Sequence, residues 1–177
     1  MPVLIAIIGA ITAVAFFVLR ARNAANAAGD LVDMANDVRL AARRFGFRRK
    51  TNLHPAESIE DPNIAITGVA SAFLELDDLP TSGQRTALVY AMQDTFGLSA
   101  QDADELAILG RWMVSECGSP DAAISRLTRK LMRLSGQESF APLLSIINAT
   151  LTSGGGAGLN NKQREALDDV KRAFRIS

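Results

Sequence analysis

The sequence is poor in the residues that build disulfide frameworks, zinc sites and strand-rich cores. Its 177 residues include one cysteine and one histidine, and aromatic residues make up 6% of the chain. The single cysteine, Cys117, cannot form an internal disulfide and leaves no pattern of paired thiolates for zinc. Runs of β-branched residues are scarce, whereas alanine and leucine, which favour helix, are abundant. The composition therefore predicts an all-α protein.

The same scarcity argues against an enzyme. His54 is the only histidine. Without a second base, neither a Ser-His-Asp nor a Cys-His site can be built around it. The glycines at 154–156 do not follow a strand and lack the lysine of a phosphate-binding loop. We therefore expect a non-enzymatic protein with no catalytic residues and no cofactor.

A net charge of zero hides a basic segment followed by an acidic domain. Residues 20–50 carry eight basic and three acidic side chains, whereas residues 51–177 carry eleven basic and sixteen acidic ones. A basic collar beside a hydrophobic segment is typical of membrane proteins. We expect membrane lipid as a partner and no nucleic acid.

The hydrophobic segment is residues 2–19, which contain no charged side chain. As a helix these residues would span roughly 27 Å, close to the thickness of a bilayer core. We interpret residues 1–22 as a transmembrane anchor. Two alternatives are a signal peptide cleaved near Ala25-Asn26-Ala27, and a buried helix of a globular domain.

The charges that flank this segment predict its orientation. Arg20 and Arg22 follow the apolar run, and no lysine or arginine precedes it. By the positive-inside rule, the chain after the anchor stays in the cytoplasm. The prediction is a single-pass protein of a bacterial inner membrane with a cytoplasmic C-terminal domain. Small residues four apart, Ala6 with Ala10 and Gly9 with Ala13, indicate at most a weak homodimer through the membrane helix.

Residues 23–50 read as a basic juxtamembrane helix that Gly46 interrupts. One interpretation places Phe45 and Phe47 in the headgroup layer, with basic side chains facing anionic lipid. The alternative is a solvated basic face whose two phenylalanines pack on the folded domain. The basic side chains that form this lipid-facing patch are Arg43, Arg44, Arg48, Arg49 and Lys50.

Residues 51–60 read as a polar linker, and residues 61–177 as a compact bundle of about six helices. Capping residues, prolines at first helical positions and glycines after the last apolar residue delimit the helices. The predicted starts are Asp61-Pro62, Ser82, Ser99, Ser119-Pro120, Glu138 and Asn160. The apolar spacing predicts a core made of Phe73, Leu88, Phe96, Leu106, Trp112, Leu127, Leu131, Leu144, Ile147, Leu167 and Phe174.

A helix-loop-helix unit occurs twice in this bundle. The residues Gln84-Arg85-Thr86-Ala87-Leu88 recur as Gln163-Arg164-Glu165-Ala166-Leu167, and each copy opens a helix after a small, polar loop. Each of these helices runs on to a phenylalanine, and each is preceded by an apolar helix. The matching context indicates an internal duplication.

This duplicated arrangement, with its acidic loop, its Gln-Arg-x-Ala-Leu helix start and its Phe-Gly-Leu-Ser stop, resembles the tellurite-resistance TerB-like domain. That domain also occurs in membrane-anchored co-chaperones of the DjlA type. The resemblance covers residues 61–177 and implies an all-α domain with a pseudo-repeat. It further implies a role in tellurite or envelope stress within membrane-associated complexes and, in some members, metal bound by acidic residues.

The acidic residues of the family pattern are incomplete in this chain. Gln84 and Gln163 stand where the family has glutamate, and Ser153 stands where it has aspartate. Hard cations require several carboxylate oxygens converging on one site. We therefore predict no metal site, with Glu75, Asp77 and Asp78 as weak candidates.

Two functions from different classes follow. The first is a membrane-tethered adaptor of TerB-like type that binds a protein partner, whose identity the sequence does not indicate. The second is a weak divalent-metal or ligand-sensing domain that uses the acidic loop.

Overall fold

The computed structural model describes residues 35–76, 80–153 and 159–176. The chain divides into two compact units, residues 1–37 and 38–177, and the helices after residue 60 belong to the second unit. The predicted membrane anchor, with its homodimer contacts, and the side chains of Asp77 and Asp78 lie outside the described residues. Among the helices of the described ranges, none is long and apolar enough to cross a bilayer.

Seven helices occupy the described ranges, and no strand does. Short 3-10 turns, Pro55–Ser58 and Gly136–Ser139, precede α2 and α6. The all-α prediction is confirmed, including six helices after residue 60. The helices are α1 (residues 35–44, its described part), α2 (Pro62–Leu74), α3 (Ser82–Phe96), α4 (Ala100–Cys117), α5 (Pro120–Ser135), α6 (Phe140–Ser153) and α7 (Asn161–Phe174).

Most of the predicted helix boundaries are found because they depend on local capping. The side chains of Asp61, Ser99 and Ser119 each accept a hydrogen bond from a backbone N–H in the first turn that follows. Gly97 and Gly118 end α3 and α4 with φ values of 67° and 86°, in the left-handed region that glycine adopts without strain.

Two boundaries differ from the prediction. Helix α2 ends at Leu74 rather than near Asp78, because the N–H of Glu75 is shared between the carbonyls of Ser71 and Ala72 and tightens the last turn. Helix α6 begins at Phe140, after the 3-10 turn, rather than at Glu138.

Helix α2 lies at the centre of the bundle. Every residue from Ile64 to Leu74 is buried, and α2 packs against α4, α5 and α6. A helix that is apolar all round has no face to offer to water, so burial on every side is the arrangement its sequence favours.

Glycines allow the neighbouring helices to approach α2 closely. A Cβ atom added at Gly110 of α4 would lie 2.7 Å from Cγ2 of Thr67 and 3.2 Å from its carbonyl carbon. At Gly68 of α2, the added Cβ would lie 2.7 Å from Cδ1 of Leu127 on α5. The spacing between α2 and α4 therefore requires a residue without a side chain at position 110.

Seven of the predicted core residues are fully buried: Phe73, Leu88, Leu106, Leu127, Leu131, Ile147 and Phe174. Phe96, Trp112 and Leu167 are partly buried and pack against the core. The prediction for Leu144 was wrong by one position, because its neighbour Leu143 shares the inward face of α6 with Ile146 and Ile147.

The two helix starts of the repeat have the same local structure. Thr81 and Gln84 form a capping box at the start of α3, and Asn160 and Gln163 form one at the start of α7. In each, the first side chain accepts the N–H of the glutamine, whose amide oxygen accepts the N–H of the first residue. The packing differs, because α3 packs on α4 and α6 while α7 packs on α5.

We expect Gly110→Ala to lower the free energy of unfolding by about 1–3 kcal/mol, because the new methyl group meets backbone that cannot move aside. Thermal unfolding followed by circular dichroism measures the change. The matched control is Gly83→Ala in α3, where the nearest atom lies 3.9 Å away and alanine should be neutral or slightly stabilising. Equal stability of the two variants would mean that α2 and α4 are not packed at this distance.

Candidate functional site

The basic segment after α1 folds back onto the bundle as a strap, defined here as residues 45–60. Phe45 and Phe47 pack against the core, and the ring of Phe47 meets that of Trp112 edge-on with centroids 5.7 Å apart. Of the two interpretations left open for these phenylalanines, the structure supports packing on the domain.

The residues that the sequence suggested as a polar linker are part of this strap. Ala56 and Ile59 have no exposed surface and belong to the core. The side chain of Lys130 donates to the carbonyl of Glu57 over 2.8 Å, and Arg133 pairs with the Glu57 carboxylate at 2.6 Å. Buried apolar residues and the contacts of Glu57 thus make residues 51–60 part of the folded unit.

Ion pairs fasten part of the basic patch to the domain. Arg44 contacts the carboxylates of Asp102 and Glu105 at 2.6 and 3.0 Å. On the strap, Arg49 pairs with Glu116 of α4 at 3.7 Å, while Lys50 pairs at 2.8 Å with Glu60, which belongs to the strap itself. The hydroxyl of Ser99 and then Arg44 lower the pKa of Asp102, and Lys50 lowers that of Glu60.

The remaining two bases of the patch, Arg43 and Arg48, are exposed, and no carboxylate of the described residues pairs with either. The patch is thus divided between side chains that form ion pairs within the folded unit and side chains that are exposed without such a pair. Whether it faces lipid stays a prediction.

His54 and Cys117 serve the packing of the strap and of α4. His54 Nδ1 accepts the N–H of Ala56, so its proton lies on Nε2, which donates to the carbonyl of Glu116 over 3.0 Å. Burial raises the pKa of the Cys117 thiol, which keeps it protonated and therefore a poor nucleophile.

We expect Phe47→Ala to loosen the strap, because the edge-on ring contact with Trp112 is lost. Removing a partly buried phenylalanine should lower stability by about 2–4 kcal/mol and shift Trp112 emission to longer wavelength. Leu53→Ala is the control, since Leu53 lies on the same strap with 48% of its surface exposed. If the two variants gave the same emission maximum, Phe47 would not cover Trp112.

The acidic loop contributes one described candidate ligand, Glu75, at the C-terminus of α2. Its carboxylate is half-buried, and burial raises its pKa against the opposing effect of Arg111 and Arg85. Within the described ranges, no group of three histidine, cysteine or acidic residues is placed to hold a metal ion. The charged side chains that act on Glu75 are Arg111 on α4 and Arg85 on α3, and both are cationic.

We expect Glu75→Gln to raise the free energy of unfolding at neutral pH. The folded pKa of Glu75 lies above its unfolded value, so the charged form opposes folding above that pKa, and this penalty disappears as the pH falls through it. The difference between variant and wild type should therefore vanish below about pH 4, where the carboxyl is protonated in both states. Denaturant titration across this range measures it.

The control for this experiment is Glu165→Gln on the exposed side of α7, which should show no such gain at neutral pH. A wild type more stable than Glu75→Gln at neutral pH would mean that attraction to the two arginines exceeds the cost of burial.

A groove lies between α3 and α4, with a volume of about 470 Å³. Leu88, Val89 and Ala107 are among its apolar lining residues, together with Ile108. Beside them stands Tyr90, which has 66% of its surface exposed and is the most exposed large hydrophobic residue of the described chain. An exposed aromatic beside an apolar groove is typical of a binding surface.

Two guanidinium groups border this groove. Arg85 on α3 and Arg111 on α4 are both exposed, and no ion pair joins either to a carboxylate of the described chain. Asp104, also on α4, supplies the acidic charge of the lining, and Glu75 lies close enough for the two arginines to influence its pKa. The groove therefore offers an apolar surface with two arginines available to an acidic partner.

A second groove, between α5 and α7, has a volume of about 320 Å³ and a mixed-charge lining. Asp121, Glu165 and Asp169 alternate there with Arg129 and Lys162. Such a surface is well solvated, and it presents less apolar area than the α3–α4 groove.

The α3–α4 groove does not follow from the sequence alone. Arg85 belongs to the repeated segment, and Val89, four residues on, shares its face of α3, whereas Tyr90 lies on another part of the helix surface. The facing residues of α4 become neighbours only through the packing of the two helices. Comparison with protein-family models, with curated proteins and with solved structures finds no match for the chain.

Proposed function

We propose that this chain is a membrane-tethered, non-enzymatic interaction module of TerB-like type. Its folded domain would lie on the cytoplasmic side of a bacterial inner membrane and bind a partner protein through the α3–α4 groove. The TerB-like character rests on the sequence motifs of residues 61–177, and the link to tellurite or envelope stress comes from that resemblance alone.

The observation that carries the proposal is the exposure of Tyr90 beside the apolar floor of the groove. Tyrosine is enriched at protein interfaces because its ring supplies apolar area while its hydroxyl supplies a hydrogen bond. A groove between two helices is also the shape that receives the apolar face of an amphipathic helix.

The charges at the groove indicate the chemistry of the partner. Arg85 and Arg111 have no paired carboxylate among the described residues, and each can form bidentate hydrogen bonds with an incoming one. The proposed partner segment is therefore helical, with apolar anchors on one face and aspartate or glutamate beside them.

The membrane tether is supported by the sequence of residues 2–19, which are uncharged over a length that fits a bilayer core. The basic residues that follow favour a cytoplasmic domain. The second compact unit begins at Val38, and within it the strap connects α1 to α2.

The alternative, a divalent-metal or ligand sensor at the acidic loop, depends on Glu75, Asp77 and Asp78. Arg85 and Arg111 act on the Glu75 carboxylate, and two cations near a ligand oppose the approach of a third. No observation of the described residues favours this function over the first.

A photo-activated cross-linking residue placed at Tyr90 tests the proposal in the full chain and in its membrane. We expect adducts from position 90, and few from the same residue placed at the exposed control position Arg164 on α7. Sequencing the cross-linked peptide should show acidic residues at helical spacing from apolar ones. The paired substitution Arg85→Gln and Arg111→Gln should reduce the adduct by about tenfold or more, since even one charged hydrogen bond contributes about 1.5–3 kcal/mol.

Two results would contradict the proposal. One is an equal yield of adducts from positions 90 and 164, which would indicate collision without binding. The other is a cross-linked segment rich in lysine and arginine, which the two arginines of the groove would repel.

A further inference from the structure

Helix α1 has one face that the bundle does not cover. At 3.6 residues per turn, Val38, Ala41, Ala42 and Phe45 share one side, and these four are buried or partly buried against the core. Arg39, Leu40 and Arg43 lie on the opposite side, and all three are exposed. We call these three residues the Arg39 face.

The Arg39 face combines an aliphatic side chain with two arginines that form no ion pair with the described residues. Leu40 has 58% of its surface exposed. No carboxylate of the described residues forms an ion pair with Arg39 or Arg43, although Arg44, the next residue, contacts two. Asp37, the acidic residue of the described part of α1, lies on the side of the helix from which Arg44 reaches the bundle.

The distribution of exposed hydrophobic residues singles out the same region. Three large hydrophobic residues of the described chain are exposed: Leu40, Leu53 and Tyr90. Tyr90 belongs to the α3–α4 groove, whereas Leu40 and Leu53 both lie in the first part of the folded unit, among the basic residues. Of the three, Leu40 stands beside Arg39 and Arg43, and an exposed leucine with two arginines beside it matches the boundary between lipid headgroups and acyl chains.

We propose that the Arg39 face docks on an anionic lipid bilayer, with Arg39 and Arg43 at the headgroups and Leu40 at the acyl boundary. This inference rests on the proposed membrane tether, and it replaces the five-residue lipid-facing patch with a smaller surface. Arg44, Arg49 and Lys50 are excluded because carboxylates of the domain already pair with them.

The length of chain before α1 makes this docking geometrically accessible. Residue 19 ends the uncharged segment, and Arg39 follows twenty positions later. Even fully extended, that stretch reaches about 70 Å, so a tether in the bilayer holds the face at a high local concentration near the membrane. The negative surface potential of anionic lipid attracts arginine only within about a Debye length.

Quenching of tryptophan fluorescence by brominated lipid tests the inference with the full chain. Leu40→Trp places the probe on the Arg39 face, and Ser145→Trp places it at an exposed position of α6 as a matched control. The wild-type chain, whose single tryptophan is Trp112, provides the baseline. Each protein is reconstituted in brominated phosphatidylcholine alone and in the same lipid mixed with phosphatidylglycerol.

We expect the probe at position 40 to be quenched in the anionic mixture and far less in phosphatidylcholine alone, while the probe at 145 is quenched in neither. Adding Arg39→Gln and Arg43→Gln should weaken the docking equilibrium roughly 30-fold. The pair Arg129→Gln and Arg164→Gln, on α5 and α7, should leave the quenching unchanged. Raising the salt concentration should act as the first pair does.

Three results would overturn the inference. They are no quenching at position 40 in anionic vesicles, equal quenching after the two α1 arginines are removed, and displacement by inorganic phosphate beyond that by chloride at equal ionic strength. The last would indicate a phosphate site rather than a membrane surface. Flotation of the phosphatidylcholine vesicles separates these from failure of the tether itself, since an untethered wild-type chain would not rise with lipid that the Arg39 face does not bind.

Discussion

The burial of α2 is the constraint on which the rest of the bundle depends. This helix is apolar on every side, so it is stable only where other helices cover it completely. Helices α4, α5 and α6 provide that cover, and Gly68 and Gly110 allow two of them to approach closely. Even the hydroxyl of Thr67 finds its partner inside, donating to the sulfur of Met92 over 3.2 Å.

The position of the grooves follows from this central helix. Helix α3 packs mainly on α4 and α6 and has fewer contacts with α2. The opposite side of the α3–α4 pair is left to solvent. Tyr90 and the two arginines of the groove lie on that side. Exposed residues of the outer helices, such as Tyr90, lie outside the core and can contact a partner without disturbing its packing.

The helix order and most helix ends could be predicted because capping is a local interaction. Asp61, Ser99 and Gly118 act through hydrogen bonds or φ angles within a few residues of themselves. The choice between Leu143 and Leu144 could not be made, since both fit an apolar face and only packing against neighbouring helices decides which is buried. Residues 51–60 of the strap read as a linker in the sequence because the partners of Ile59 are distant along the chain.

The candidate sites were harder to predict, for the same reason. The sequence identified the five basic residues, but it could not divide them, because Asp102, Glu105 and Glu116 belong to a helix more than fifty residues away. The α3–α4 groove was not predicted at all. A groove is formed by two helices together, and neither helix alone has a motif that marks it.

The glutamines at positions 84 and 163 have one more consequence. In each capping box the glutamine amide oxygen accepts the backbone N–H of the cap residue. A glutamate there would bind more strongly as an anion but would lose that advantage on protonation in mild acid. Because an amide does not titrate in this range, both helix starts keep their reciprocal hydrogen bonds through an acid shift that would weaken a carboxylate cap.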